Sequence, residues 1–374
     1  MDLNNKVIGL IFASLHDSSV MELTKQRTMG SILFGGRYRL IDFPLSNMVN
    51  SGVSEVGVIT KSNYGSLMDH LGSGREWDLA RKRGGLHLLP PFSQEGGGIY
   101  RGRLEALNNV WNYVGNAQAD YVILADCDVI TTIDFQKVIE YHNEKNADIT
   151  IVYAKEKINA EEGNVGDVLQ LNEDGRVADI LINPEFTGEC NRSLDMFVVG
   201  KDFLKKIVKE AASKGEYSLT RHILQAKKSE YSFYGYEHDG YYTKIDSMRS
   251  YYKANLDLIN FENRNKLFKS DMPIYTKVRD NAPVKYGLDS DVMNSVIADG
   301  CIIEGKVENS VLFRDVVVKE GAVVKNCVLQ QGTVVGEDSS VDSVITDKNV
   351  EIGAEKVLTG SSDYPLYIGK NAKI

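Results

Sequence analysis

The stretch from Val296 to Ile352 constrains this chain more than any other. Val317, Val323, Leu329, Val335 and Val341 recur every six residues, with glycines and asparagines at the turns between them. One aliphatic residue in six, repeated without a break, is the signature of a left-handed parallel β-helix. Each side of a triangular coil turns one such residue inward, and no coil can bury that face without stacked neighbours.

The chain ahead of the repeat has a different texture. From Val7 to about Asn260, aliphatic runs such as VIGLIFA, EVGVIT, DYVILADCD, DITIVYA, VLQLN and SLDMFVVG alternate with amphipathic segments such as RLEALNNVWNYVGN, DFQKVIEYHNEK, GKDFLKKIVKEAASK and SMRSYYKANLDLINF. The first kind reads as strands and the second as helices, and their alternation predicts an α/β domain with a mostly parallel, helix-covered sheet. Ligands in such sheets sit beyond the carboxyl ends of the strands, so the loops after VIGLIFA and DYVILAD are where chemistry is expected. The stretch FKSDMPIYTKVRDNAPVKYG carries two of the seven prolines and no helical period, as a linker would. The expected organisation is a first domain over 1–265, a linker over 266–293 and a β-helix domain over 294–374.

Charge narrows the partners. With 52 acidic against 43 basic residues the formal net charge is −9, which repels nucleic acid and anionic membranes and leaves small molecules and proteins. The four cysteines, Cys127, Cys190, Cys301 and Cys327, form no pair of metal-binding or redox spacing. No apolar run has the length of a membrane span, and the N-terminal one is short for a signal peptide. A cytoplasmic protein with reduced thiols is expected.

At FGGRYRLIDFPLSNMVNSGV, Phe34 to Val53, the pattern becomes specific. It resembles the ADP-glucose pyrophosphorylase family, the glucose-1-phosphate adenylyltransferases of bacterial glycogen synthesis. SLMDHL at Ser66, YRG at Tyr100, YYKANLDL at Tyr251 and NSVIADGCIIEGKVENSVLF at Asn294 carry the resemblance over essentially the whole chain. It implies a Rossmann-like, GT-A-like nucleotidyltransferase domain followed by the left-handed β-helix of hexapeptide repeats. It also implies the reaction: glucose 1-phosphate and ATP give ADP-glucose and pyrophosphate. Positioning and charge neutralisation would carry such catalysis, through a glycine-rich loop, a cation on the triphosphate and two carboxylates on Mg²⁺.

The residues that match those motifs have changed. The family's loop reads approximately GGxGxR, and ungapped alignment back from FGG places Ser14, Leu15, His16, Asp17, Ser18 and Ser19 on it. The glycines and the arginine are gone, Leu15 and Asp17 would crowd the phosphates, and Asp17 adds like charge; the hydroxyls of Ser18 and Ser19 are what remains for phosphate. The family's lysine falls on Met29 and its adenine-side glutamine on Lys61. Its YRGTAD becomes YRGRLE, so Arg103 and Leu104 replace small residues, and the tryptophan ahead of it becomes Ile99. Of the two metal carboxylates Asp128 is retained; the second falls on Lys244, with Asp246 two residues on as the candidate displaced ligand. The sugar-phosphate lysine, glutamate and aspartate fall on Asn183, Ile182 and Ser218.

Loss at every motif points to a GlgD-type regulatory subunit, impaired alone and assembled with a catalytic sister chain, as a heterotetramer in the family's manner. Mg²⁺ is the family's cofactor, and none is expected for this chain. Arg37 and Arg39 stand where the family binds allosteric phosphate effectors, phosphorylated sugars among them. The alternatives are an active but divergent adenylyltransferase or other sugar-phosphate nucleotidyltransferase, and an acyltransferase. The last is disfavoured because Val296 to Ile352 contains no histidine to act as base.

Overall fold

The computed structural model describes residues 7–91, 99–158, 165–185 and 187–374, so residues 1–6 at the head of the first domain lie outside it. The first domain is built on a nine-stranded sheet. At its centre Val7–Phe12 runs parallel to Glu55–Ile59 on one side and to Tyr121–Asp126 on the other, and Gly85–Leu89 extends the parallel part. Beyond Tyr121–Asp126 the long strand Gly188–Gly200 turns antiparallel and also pairs with Ile149–Ile158. All six residues of Val7–Phe12 are buried, as a strand covered on both faces requires.

The helices follow the sequence signals. Phe135–Glu144 starts where the Asp134 side chain accepts the Gln136 N–H, and it buries Phe135, Val138, Ile139 and His142, one face of a 3.6-residue period. Lys201–Lys214 buries Leu204, Ile207, Val208 and Ala211 and stops at Gly215 in the left-handed region. The segment RLEALNNVWNYVGN, expected as one helix, is two, Arg103–Asn109 and Trp111–Asn116, interrupted at Val110.

Three five-stranded parallel sheets form the sides of the C-terminal prism. Its first strand, Lys285–Tyr286, lies inside the stretch expected to be linker. The inward register also differs from the strict six-residue reading: Val318 and Val324 are buried, while Val317 and Val323 are half-exposed. The cause is coil length. Val317 stacks on Val334, Val323 on Ser340 and Val328 on Ile345, a stagger of 17 residues, so here the coil is a residue short of three six-residue sides and a fixed six-residue frame drifts.

One side of the prism packs on the first domain. Val311, Val328, Ile345 and Phe313 belong to the same buried cluster as Phe34, Ile41 and Tyr251. Each aliphatic side chain so buried contributes roughly 1.5–3 kcal/mol. Among polar contacts across this seam, Arg27 donates to both carboxylate oxygens of Asp347, at 2.7 and 2.8 Å, and Gln330 donates to the Tyr251 hydroxyl. The FGG turn lies on the same seam. Gly35 and Gly36 have φ of 58° and 87°, a Cβ on Gly35 would come within 2.7 Å of Leu258, and Gly36 faces Ala298 and the Leu312 carbonyl of the prism. Glycine is required here for the turn and for close approach. Among the described residues no helix is long and apolar enough to cross a membrane.

Candidate functional site

Register brings a cluster of charges to the carboxyl ends of the central strands. Phe12 pairs with Asp126, so the loop leaving the first strand begins beside Asp126 and Asp128. The strand Tyr242–Lys244 pairs antiparallel with Val129–Thr131, which sets Lys244 against Val129 next to Asp128. On the other flank the strand Gly188–Gly200 has a bulge between Ser193 and Met196. Asp195 sits in that bulge with φ of 53°, a conformation a non-glycine residue holds at a cost, and it turns inward at the level of Asp126. Arg103 opens its helix behind Gly102, whose position against the Tyr217 carbonyl leaves no room for a Cβ.

These groups satisfy one another. His16 Nε2 lies 2.6 Å from Asp126 and 3.9 Å from Asp128. Arg103 bridges Asp126 at 2.5 Å and Asp195 at 2.7 Å. Lys244 is 2.5 Å from Asp195 and 3.7 Å from Asp128. All except His16 are buried or nearly so; His16 keeps 31% of its side chain exposed. Burial would lift the Asp195 carboxyl, but Lys244 and Arg103 outweigh it and hold the group well below the usual carboxylate range. Burial opposes protonation of His16, yet Asp128 and Asp126 raise it to about 9. Lys244 and Arg103 are likewise held charged against burial by their carboxylate partners. Asp128 differs: burial, with Asp195 and Asp126 beside it, pushes its carboxyl up despite His16 and Lys244, and its Oδ1 has no hydrogen-bond partner among the described residues.

The first loop is folded into this cluster. Asp17 Oδ1 accepts the backbone N–H of Met29 at 2.7 Å, and burial, partly offset by that bond, pushes its carboxyl up to about 6. Ser14 is buried and accepts the Lys61 N–H at 3.3 Å, and Leu15 packs against the core. The Lys61 ammonium lies 4.9 Å from the Tyr100 ring centroid. Ser18 is exposed, while Ser19 donates its backbone N–H to the His16 carbonyl.

Of the residues singled out in the sequence, Asp128, Lys244, Arg103 and the loop from Ser14 to Asp17 meet at this site. Asn183 and Ser218 do not join it. Asn183 is exposed with φ of 45°, its N–H bound to the Gly166 carbonyl, and Ser218 accepts the Arg221 N–H in a helical turn. Asp246 does not join this group of carboxylates; it accepts the Arg192 guanidinium at 2.8 Å. The carboxylate set beside Lys244 is Asp195, which sequence reasoning did not select. Its signal was a charge inside the apolar run SLDMFVVG.

Arg37 and Arg39 lie at the seam between the domains, in a cleft they share with His70, Lys277, Arg279 and Arg314. Arg39 is 3% exposed and donates to the Ser66 carbonyl at 2.6 Å and hydroxyl at 2.9 Å, while Arg37 is exposed. The crowding of cations is felt at Lys348: burial, with Arg39 and Arg27 nearby, lowers its ammonium to about 7.

Known proteins share both parts of this architecture. Residues 9–260 match the family model of nucleotidyl transferases, and residues 282–362 match the GlmU-like C-terminal hexapeptide model. The glycogen biosynthesis protein GlgD of Bacillus subtilis (strain 168) is 35% identical over 367 residues, 98% of this chain and 96% of that protein. The chain belongs to the ADP-glucose pyrophosphorylase family. A glucose-1-phosphate adenylyltransferase of Clostridium perfringens (strain 13 / Type A) is 32% identical over 384 residues, covering 94% of this chain and 96% of that enzyme. Another, from Pseudothermotoga lettingae, is 34% identical over 322 residues, 85% of this chain and 76% of that enzyme. The family thus contains chains named for catalysis and a chain named for the pathway, and the site of this one has to be read from its own groups.

Proposed function

We propose that this chain is a regulatory, catalytically impaired subunit of an ADP-glucose pyrophosphorylase in bacterial glycogen synthesis, acting through a hetero-oligomer with a catalytic sister chain. The observation that carries the proposal is the internal pairing of the site: Asp126 and Asp195 are held by His16, Arg103 and Lys244, and Asp17 of the first loop caps Met29. A triphosphate with its metal would have to displace buried pairs of this kind, and breaking one typically costs about 3–5 kcal/mol. Regulation is assigned to the cationic cleft at the seam. Arg37 is exposed there with Arg39, Lys277, Arg279 and Arg314 near it, and guanidinium groups bind phosphate bidentately at any cellular pH. A phosphate effector is the expected ligand, and coupling to the partner would be about 1–3 kcal/mol, roughly 5- to 150-fold in affinity.

Pyrophosphate release measured with the chain alone, the catalytic subunit alone and the two together tests this reading. The chain alone is expected to be nearly silent, and the mixture is expected to differ from the catalytic subunit in apparent substrate affinity or effector response. Arg37→Ala should blunt the effector part without preventing assembly. Turnover by the isolated chain, or no complex on size exclusion with unchanged kinetics at saturating excess, would favour a divergent enzyme instead.

A further inference from the structure

Four potential ligands, His16, Asp126, Asp128 and Asp195, place one donor atom each within 4.8 Å of one another, a grouping that could hold a divalent cation. The unpartnered Oδ1 of Asp128 adds to that impression. Most of the donors are nevertheless committed. Both oxygens of Asp195 are taken, Oδ1 by Arg103 and Oδ2 by Lys244. Asp126 Oδ2 faces both Arg103 and His16, and Asp128 Oδ2 lies 3.7 Å from the Lys244 ammonium. A divalent ion at this point would meet an ammonium and a guanidinium, with Asp126 and Asp195 already paired to them. The residues present do not fit the family's metal.

We infer that Lys244 and Arg103 are this chain's permanent substitute for the divalent cation, so that the fold carries the neutralising charge as side chains and its site binds no metal. The count is consistent with that. Three carboxylates, Asp126, Asp128 and Asp195, face three cationic groups, Arg103, Lys244 and His16. Asp167 stands at the rim on the Arg103 side, hydrogen-bonded to Thr220, with its carboxyl pushed up by burial and by Asp195. Exchanging Lys244 for a carboxylate would move the inner six groups from neutral to a net charge of two negatives, which a divalent ion balances. The inference rests on the reading that this site has lost its catalytic role, and it is tested without turnover.

The test is titration of the intact protein with Mn²⁺, with free Mn²⁺ read by electron paramagnetic resonance and folding checked by circular dichroism. Wild type is expected to bind no ion at this site below several millimolar. Lys244→Asp is expected to bind one ion at least about tenfold more tightly, and adding Asp128→Asn should abolish that ion, which separates it from sites elsewhere on an acidic surface. If Lys244→Asp does not fold, Lys244→Gln, which leaves one uncompensated negative charge, is read in the same way. Two results would overturn the inference: a submillimolar ion in wild type that Asp128→Asn removes, or a folded Lys244 variant that binds Mn²⁺ no better than wild type. A failed hetero-oligomer would count against the regulatory role and leave these titrations untouched.

Discussion

Removing one partner of the Arg27–Asp347 pair should destabilise the chain by an amount that depends on which partner is removed. Both side chains are about 95% buried at the seam, with exposures of 4% and 5%. In Arg27→Met, Asp347 keeps the Lys348 N–H at 2.7 Å and the Tyr367 hydroxyl at 3.3 Å, so the loss should lie at the low end of the range for broken buried pairs, about 3 kcal/mol. In Asp347→Ala, the guanidinium is left with only Gln330 at 3.4 Å among its described hydrogen bonds, and the loss should approach about 5 kcal/mol. The double variant Arg27→Met with Asp347→Leu removes both charges and should be closer to wild type than either single change, because no buried charge is stranded. Urea denaturation measures the ordering. Trp77 and Trp111, the two tryptophans, both lie in the first domain, so fluorescence reports that domain while far-ultraviolet circular dichroism reports the whole chain. Loss of the latch should lower stability and separate the two transitions. Single variants within about 0.5 kcal/mol of wild type, or a double variant as unstable as the sum of the singles, would show that this pair does not hold the domains together.

The remaining expectations concern the site. His16 is raised from 6.5 to about 9, so its stabilising contribution is complete below pH 6.5 and is lost as pH rises towards 9. With a third of the side chain in solvent, the loss should be about 1–2 kcal/mol, and His16→Gln should flatten the stability profile across that window; an unchanged profile in the variant would contradict the assignment. Titration calorimetry should find Mg²⁺·ATP bound far more weakly than by a catalytic homologue, and Mg²⁺-dependent micromolar affinity would refute the internally paired site. Lys244→Asp, even where it admits a metal, should not restore turnover, because Met29, Asn183 and the glycine-free loop remain and groups that act as a unit are not additive. Turnover within tenfold of a catalytic homologue would show that the defect is concentrated at one residue.

Much of this protein is determined by sequence alone. The period of the aliphatic residues is a local property, so the alternating strands and helices and the repeat from Val296 onward are legible without coordinates, as is the absence of glycines from Ser14 to Ser19. What the sequence does not carry is who meets whom across distance. The drift of the inward register to Val318 and Val324 came from a short coil, which appears only once coils are stacked. Asp195 reads as an anomaly in a buried strand until a bulge turns it towards Arg103 and Lys244, and Asp246, close to Lys244 in sequence, is claimed by Arg192 instead. His16, Arg103, Asp195 and Lys244 come from four separate segments, and only the parallel register of the central strands, with the bulge beside them, sets their charges within hydrogen-bond reach. Electrostatic pairing of buried groups is decided by distances of a few ångströms, and those are fixed by tertiary packing rather than by any spacing along the chain.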